Sequence, residues 1–192
     1  MEEITELHNC LFTDVCAVIK SAHLAEYNAT GLVINTSDIT AEQLQREMEQ
    51  YNGKCLGYVV DESIVGTLSV FCEKKRYWFS AGRDVKTIKY VAVRPDYQGR
   101  HVASKLLQYA KDVYANNTVP IIVSTDQKNK HAIKLYEKNG FQIMKVTRGR
   151  KADSNALKLV WWPLGCPFSH SLCSFHLLMD KIKCAIKIII RY

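Results

Sequence analysis

The chain has no uninterrupted apolar run of the roughly 20 residues that a bilayer-spanning helix needs, so no such span is expected and a membrane is not an expected partner. Its first residues, MEEITEL, are acidic and carry no apolar core of the kind a secretory signal requires. Internal repeats and low-complexity segments are missing as well, which removes repeat architectures. The basic residues are scattered, with no run of them interleaved with aromatics, so nucleic acid is not an expected partner either. The cysteines number seven, which is odd, and several lie within apolar runs. That pattern fits free, mostly buried thiols in a reducing, cytoplasmic setting and not a disulfide framework.

What is there is enough for one domain. A chain of 192 residues that is 47% hydrophobic can bury a real core. A formal net charge of +7 suits an anionic ligand.

Periodicity supplies the elements. A short strand is expected around Ile4 to Leu7. A helix follows from Phe12 to Glu26, with Phe12, Val15, Cys16, Ile19 and His23 on one face and Thr13 or Asp14 as its cap. The stretch 27–39 reads as a loop. Thr40 and Gln43 form a capping-box-like start to a second helix that reaches Tyr51 and stops at Asn52-Gly53. Lys54 to Val60 and Ile64 to Phe71 read as a hairpin, followed by a short aromatic segment at Tyr77 to Phe79. Pro120 to Thr125 reads as a buried parallel strand. Asn129 to Asn139 is a helix that stops at Gly140, and Phe141 to Val146 and Ala156 to Trp161 are two more strands. This order predicts an α/β fold with a mixed sheet.

The chain is organised around residues 87–116, TIKYVAVRPDYQGRHVASKLLQYAKDVYAN. Ile88, Tyr90, Val91 and Val93 are strand formers, and Arg94-Pro95-Asp96 closes the strand into a turn. From Tyr97 the period becomes helical, with Val102, Leu106, Tyr109, Ala110 and Val113 on one face. A helix N-terminus carries about four N–H groups without intrahelical partners, at the positive end of the helix dipole. Gly99 and Ala103 let a ligand approach the backbone closely, and Arg100 adds charge. These features describe a phosphate cradle.

The run VAVRPDYQGRHVASKLL resembles the acyl-CoA pyrophosphate loop of the GNAT superfamily of acetyl-CoA-dependent N-acetyltransferases, whose pattern is Gln/Arg-x-x-Gly-x-Gly/Ala. Gln98 fills the first position and Ala103 the last, and His101 stands where the family usually has glycine. A second run, NKHAIKLYEKNGF at 129–141, is similar to the family's Asn-x-x-Ala-x-x-Leu/Phe-Tyr-x-x-x-Gly-Phe at every fixed position. The resemblance covers residues 54–161 well and the first two helices loosely. It implies a mixed sheet of six to seven strands flanked by about four helices, as a domain over residues 1–162.

The resemblance further implies acetyl-CoA as acyl donor and direct attack by a primary amine in a ternary complex. The backbone of Val91, Ala92 and Val93 would meet the acetyl carbonyl and the pantetheine arm. Gln98, Gly99, Arg100, His101, Val102, Ala103 and Ser104 would hold the pyrophosphate through their N–H groups. Asn129 would bond the pantetheine, and Tyr136 would sit near the sulfur as general acid. The strand at 87–93 lacks the glutamate that many members use as base. Glu73, Asp84, Tyr90, Glu26 and Tyr27 are the nearby candidates, and none stands out. A second reading, raised by His101 and the missing carboxylate, is a non-catalytic acyl-CoA sensor or interaction module on the same fold. The acceptor itself has no readable code, and a small molecule is favoured over a protein.

The last residues, 163–192, form an extension. Phe175, Leu178, Met179, Ile182, Ile186, Ile189 and Ile190 repeat at helical spacing, which predicts an amphipathic helix docked on the domain or on a partner subunit, with a homodimer as one option. Cys166, His170, Cys173 and His176 are ligand-type residues at short spacing, but the order matches no zinc-finger pattern, so no metal is expected.

Overall fold

Lys54 to Glu73 alternates and turns as a hairpin should, and it forms the middle of the sheet in the computed structural model as β2 (Lys54–Val60) and β3 (Ser63–Glu73). The structure describes residues 1–33, 36, 38–73, 85–115, 119–148 and 155–163. β1 (Glu2–Leu7) pairs antiparallel with β2, and β4 (Val85–Val93) pairs antiparallel with β3. β5 (Ile121–Asp126) runs parallel to β4. β7 (Asn155–Trp161) then lies antiparallel between β5 and β6 (Gln142–Arg148). The sheet therefore has seven strands in the order β1-β2-β3-β4-β5-β7-β6, the mixed architecture expected from the sequence.

Among the described residues, four helices flank it. One face carries α1 (Phe12–Thr30) and α2 (Ala41–Gln50), where Val15, Ile19 and Leu44 are buried with Phe71 of β3 and Ala92 of β4. The other carries α3 (Val102–Tyr114) and α4 (Lys130–Lys138), where Leu106, Leu107 and Tyr136 join Leu68, Ile88 and Val123. Burying each such aliphatic side chain stabilises the fold by about 1.5–3 kcal/mol before chain entropy is counted.

Local chemistry follows the sequence in most places. Thr40 caps α2 by accepting from the Gln43 N–H at 3.2 Å. Asn129 caps α4 by accepting from the Ala132 N–H at 2.9 Å. Asn52 takes the positive φ after α2, and Gly140 does so after α4. Ile121, Ile122 and Val123 are buried on both faces, as a parallel strand between layers must be.

Four expectations need correction. No side chain caps α1: a 3-10 turn at Asn9–Leu11 already leads the chain into it, and Asp14 sits inside the first turn. The helix also runs past Glu26 to Thr30, because the first residue to break the ladder is Gly31 with φ 71°. The turn after β4 is a 3-10 segment, Pro95–Tyr97, so α3 begins only at Val102. Val113 is 46% exposed, because the buried stripe of α3 follows Val102, Leu106, Leu107 and Ala110 and has rotated away by then.

Among the described residues, Cys10, Cys16, Cys55 and Cys72 are free thiols, and no described helix is long and apolar enough to cross a membrane. The aromatic segment at 77–79, Asp84, and the extension from 164 onward with its Cys/His run and expected helix lie outside the described residues.

Candidate active site

β4 has two unlike edges. Towards β3 it is paired almost to its end, from Val85 opposite Glu73 to Val93 opposite Gly66. Towards β5 pairing stops after Lys86–Ile121, Thr87–Ile122 and Ile88–Val123. A bulge accompanies the parting. Ala92 lies opposite Thr67 and Lys89 opposite Ser69, so Tyr90 and Val91 share one partner position. Tyr90 takes φ 55°, a left-handed conformation that costs a bulky residue about 1–2 kcal/mol.

A cavity of about 320 Å³ opens at this parting. Val91, Ala92 and Val93 of β4 line it together with Gln98 and Ala103. α1 contributes Ala22, His23 and Glu26, and the start of α4 contributes Asn129, His131, Ala132 and Leu135. It continues outward into a compartment of about 410 Å³ that shares Val93, Gln98, Ala103, His131 and Leu135 with it. The outer walls are Tyr97, Gly99, His101, Val102 and Ser104 on one side and Lys134 and Lys138 on the other.

The loop between β4 and α3 carries the chain through Pro95–Tyr97 and Gln98 to the start of α3 at Val102. Gln98 is extended, and its side-chain amide reaches back to donate to the Val93 carbonyl at 3.2 Å. Gly99 has φ 76° and His101 has φ 61°, so two left-handed residues turn the chain into α3. The first helical backbone bond is donated by Lys105 to His101 at 2.9 Å. Among the described residues, no backbone hydrogen bond is donated by the N–H groups of Gly99 to Ser104, and no side chain caps the helix. The left-handed turn explains why glycine suits position 101. Histidine is one of the side chains that tolerate this region, and His101 itself is exposed at the rim. Arg100 lies over the Tyr97 ring at 4.8 Å. The Asn139 side chain donates to Ser104 Oγ at 3.1 Å, which ties the end of α4 to the start of α3.

Of the predicted site residues, the two compartments gather Val91, Ala92, Val93, Gln98, Gly99, His101, Val102, Ala103, Ser104 and Asn129. Arg100 does not line either compartment. Tyr136 is also not part of either lining. It is buried at 7% exposure with its ring edge-on to Phe141 at 5.7 Å, and its neighbour Leu135 forms the wall. Burial pushes the Tyr136 phenol up to about 12, so it holds its proton at neutral pH.

The candidate bases separate clearly. Glu73 is buried and accepts from Thr87 Oγ1 at 3.2 Å, with Lys89 Nζ at 3.2 Å from its other oxygen. Lys89 also lies 3.5 Å from Glu47 and over the Phe71 ring at 4.8 Å. Tyr90 is driven well above the usual phenol range by burial, reinforced by the Glu47 carboxylate. Tyr27 is 50% exposed and lines neither compartment. Glu26 does enter the inner cavity, where His131 Nδ1 lies 3.0 Å from its carboxylate. His23 and His131 were not singled out by sequence reasoning. Helical spacing put His23 on the inner face of α1, but nothing local shows what that face meets.

Residues 19–141 match the model of the acetyltransferase (GNAT) family. The chain belongs to that family. No curated protein matches it by sequence. Among solved structures, a GNAT-family acetyltransferase from Streptococcus agalactiae is similar at a TM-score of 0.68 and 16% identity, covering 84% of this chain and 95% of that one. The PaiA N-acetyltransferase of Thermoplasma acidophilum, solved in complex with coenzyme A, is similar at 0.64 and 16%, covering 82% and 98%. The ribosomal-protein-S18-alanine N-acetyltransferase of Escherichia coli is similar at 0.62 and 17%, covering 84% and 93%. At such identities these likenesses concern the fold. Family membership makes this GNAT chain an acyltransferase of the acetyl-CoA-using class.

Proposed function

We propose that this GNAT protein transfers the acetyl group of acetyl-CoA to a primary amine by direct attack in a ternary complex. The observation that carries the reading is that, among the described residues, the N–H groups from Gly99 to Ser104 donate no backbone hydrogen bond, at the start of α3 beside the gap between β4 and β5. Those groups, with the helix dipole, hold the pyrophosphate. Exposed Lys134 and Lys138 add positive charge on the opposite wall. The pantetheine arm enters the gap along Val91 to Val93, replacing the ladder partners that β5 does not supply. Asn129 uses its carbonyl oxygen for the α4 cap, which leaves its amide N–H groups for the pantetheine. A backbone N–H of the bulged strand faces the developing oxyanion, the interaction worth most in acyl transfer. Tyr136 keeps its proton behind the wall formed by Leu135, and delivering that proton to the leaving thiolate requires the wall to open.

Calorimetry with acetyl-CoA, followed by thiol release with an amine, tests the reading. Micromolar binding and amine-dependent thiol release are expected. Tyr136→Phe should lower kcat by about 100-fold or more while acetyl-CoA affinity stays unchanged. Equal turnover in that variant would remove Tyr136 from the chemistry. Absence of acetyl-CoA binding up to millimolar ligand would remove the cradle.

A further inference from the structure

Resting on the transferase reading above, we propose that His23 is the catalytic proton acceptor that delivers the incoming amine in its neutral form. A nitrogen can attack a thioester only with a free lone pair, and a primary ammonium keeps its proton until about pH 10. The protein must therefore supply a base within reach of the acetyl carbon. β4 does not: Lys89 is held between Glu47 and Glu73, and Tyr90 is a half-buried phenol driven above the usual phenol range.

His23 stands in the inner cavity with Val91 and Ala92, where the acetyl carbonyl is placed by the reading above. Its Nδ1 is buried, and among the described residues it has no hydrogen-bond partner. A neutral imidazole has one donor and one lone pair, and with Nδ1 uncommitted inside the protein the ring can keep its proton there and offer the Nε2 lone pair to the cavity it lines. The surroundings keep it neutral. Burial lowers its affinity for a proton below the usual histidine range, against a smaller opposing pull from Glu26. Around it, α1 contributes Glu26 and α4 contributes His131, and these two bind each other at 3.0 Å. β4 brings Val91 to Val93, the turn before α3 brings Gln98, and α3 brings Ala103. Glu26 is thus held by His131, and its charge favours the imidazolium once formed.

The ammonium gives one proton to His23, which passes it to solvent. The freed nitrogen pair forms the C–N bond, and the C–S bond breaks with its electron pair going to sulfur. The Tyr136 proton goes to that sulfur, and the second nitrogen proton restores the phenol.

The test is kcat/KM from pH 6 to 10 for the full chain and for His23→Gln, with ethanolamine, benzylamine and lysine methyl ester as acceptors. The variant should be about 100-fold slower at pH 7. The gap should close to about 3-fold near pH 10, where the amine is neutral in solution. Acetyl-CoA affinity should not change. A ratio constant across pH would mean that His23 only packs the cavity, and would overturn the assignment while leaving the transferase reading intact. No turnover by the unaltered chain with any amine would overturn that reading and this assignment together. His23→Asn repeats the comparison should the glutamine variant fail to fold.

Discussion

The two edges of β4 differ in what they are for. On the β3 side the strand is stapled along nearly its whole length, and Gly66 opposite Val93 lets α3 lie close on the sheet. A Cβ at Gly66 would stand 2.6 Å from Val102 and 3.3 Å from Leu106. On the β5 side three residue pairs suffice, while the opposite edge of β5 stays paired with β7 from Ile121 to Asp126. The unpaired edge gives up ladder hydrogen bonds, each worth about 1 kcal/mol net. Close packing on the other edge offsets that loss. A binding gap can therefore sit at the middle of a sheet because its neighbour is rigid.

Substitutions on the stapled side should have the largest effects, and should act on stability first. Leu106→Ala leaves a cavity under α3 and should cost about 2–5 kcal/mol, read as a lower denaturant midpoint. Gly66→Ala should cost about 1–3 kcal/mol by overpacking. Because it pushes directly on Val102 at the first turn of α3, it should also weaken acetyl-CoA binding more than Leu106→Ala does at equal fraction folded. Equal affinity for the two variants would show that the cradle does not depend on how closely α3 approaches the sheet. On the open side the sign reverses. His101→Gly relieves a left-handed backbone and should raise stability by up to about 1 kcal/mol, less the extra chain entropy of glycine, with acetyl-CoA affinity retained. A loss of stability would mean that the imidazole contributes a contact of its own.

The same contrast decides what the sequence discloses. Periodicity and turn chemistry are local, so the hairpin, the buried β5 strand, the Thr40 cap and the Gly140 stop are all legible. The cradle is legible too, since Gln98 to Ser104 are contiguous and carry a recognisable pattern. The inner cavity is assembled from distant pieces. Glu26 and His131 meet across 105 residues of chain, through a sheet order that no local signal encodes. The bulge at Tyr90 is likewise hidden, because Tyr90 reads as an ordinary strand former until its register against β3 is known. The start of α1 misled for a related reason: Thr13 and Asp14 are good caps by type, but the incoming 3-10 turn had already set the helix entry at Leu11.

The smallest expected effect belongs to the outer compartment, where charge acts and packing does not. Lys134 and Lys138 line it from α4 and are both exposed. Exposed charges contribute about 0.2–1 kcal/mol each, so replacing both by alanine should weaken acetyl-CoA binding by roughly 2- to 30-fold at low salt and leave stability unchanged. The backbone N–H groups of the cradle act at hydrogen-bond distance and are shielded less. At molar salt, where the Debye length is only about 3 Å, the double variant and the unaltered chain should therefore bind alike. A difference that persists in molar salt would mean that the lysines touch the phosphates directly, and the outer wall would then belong to the cradle itself.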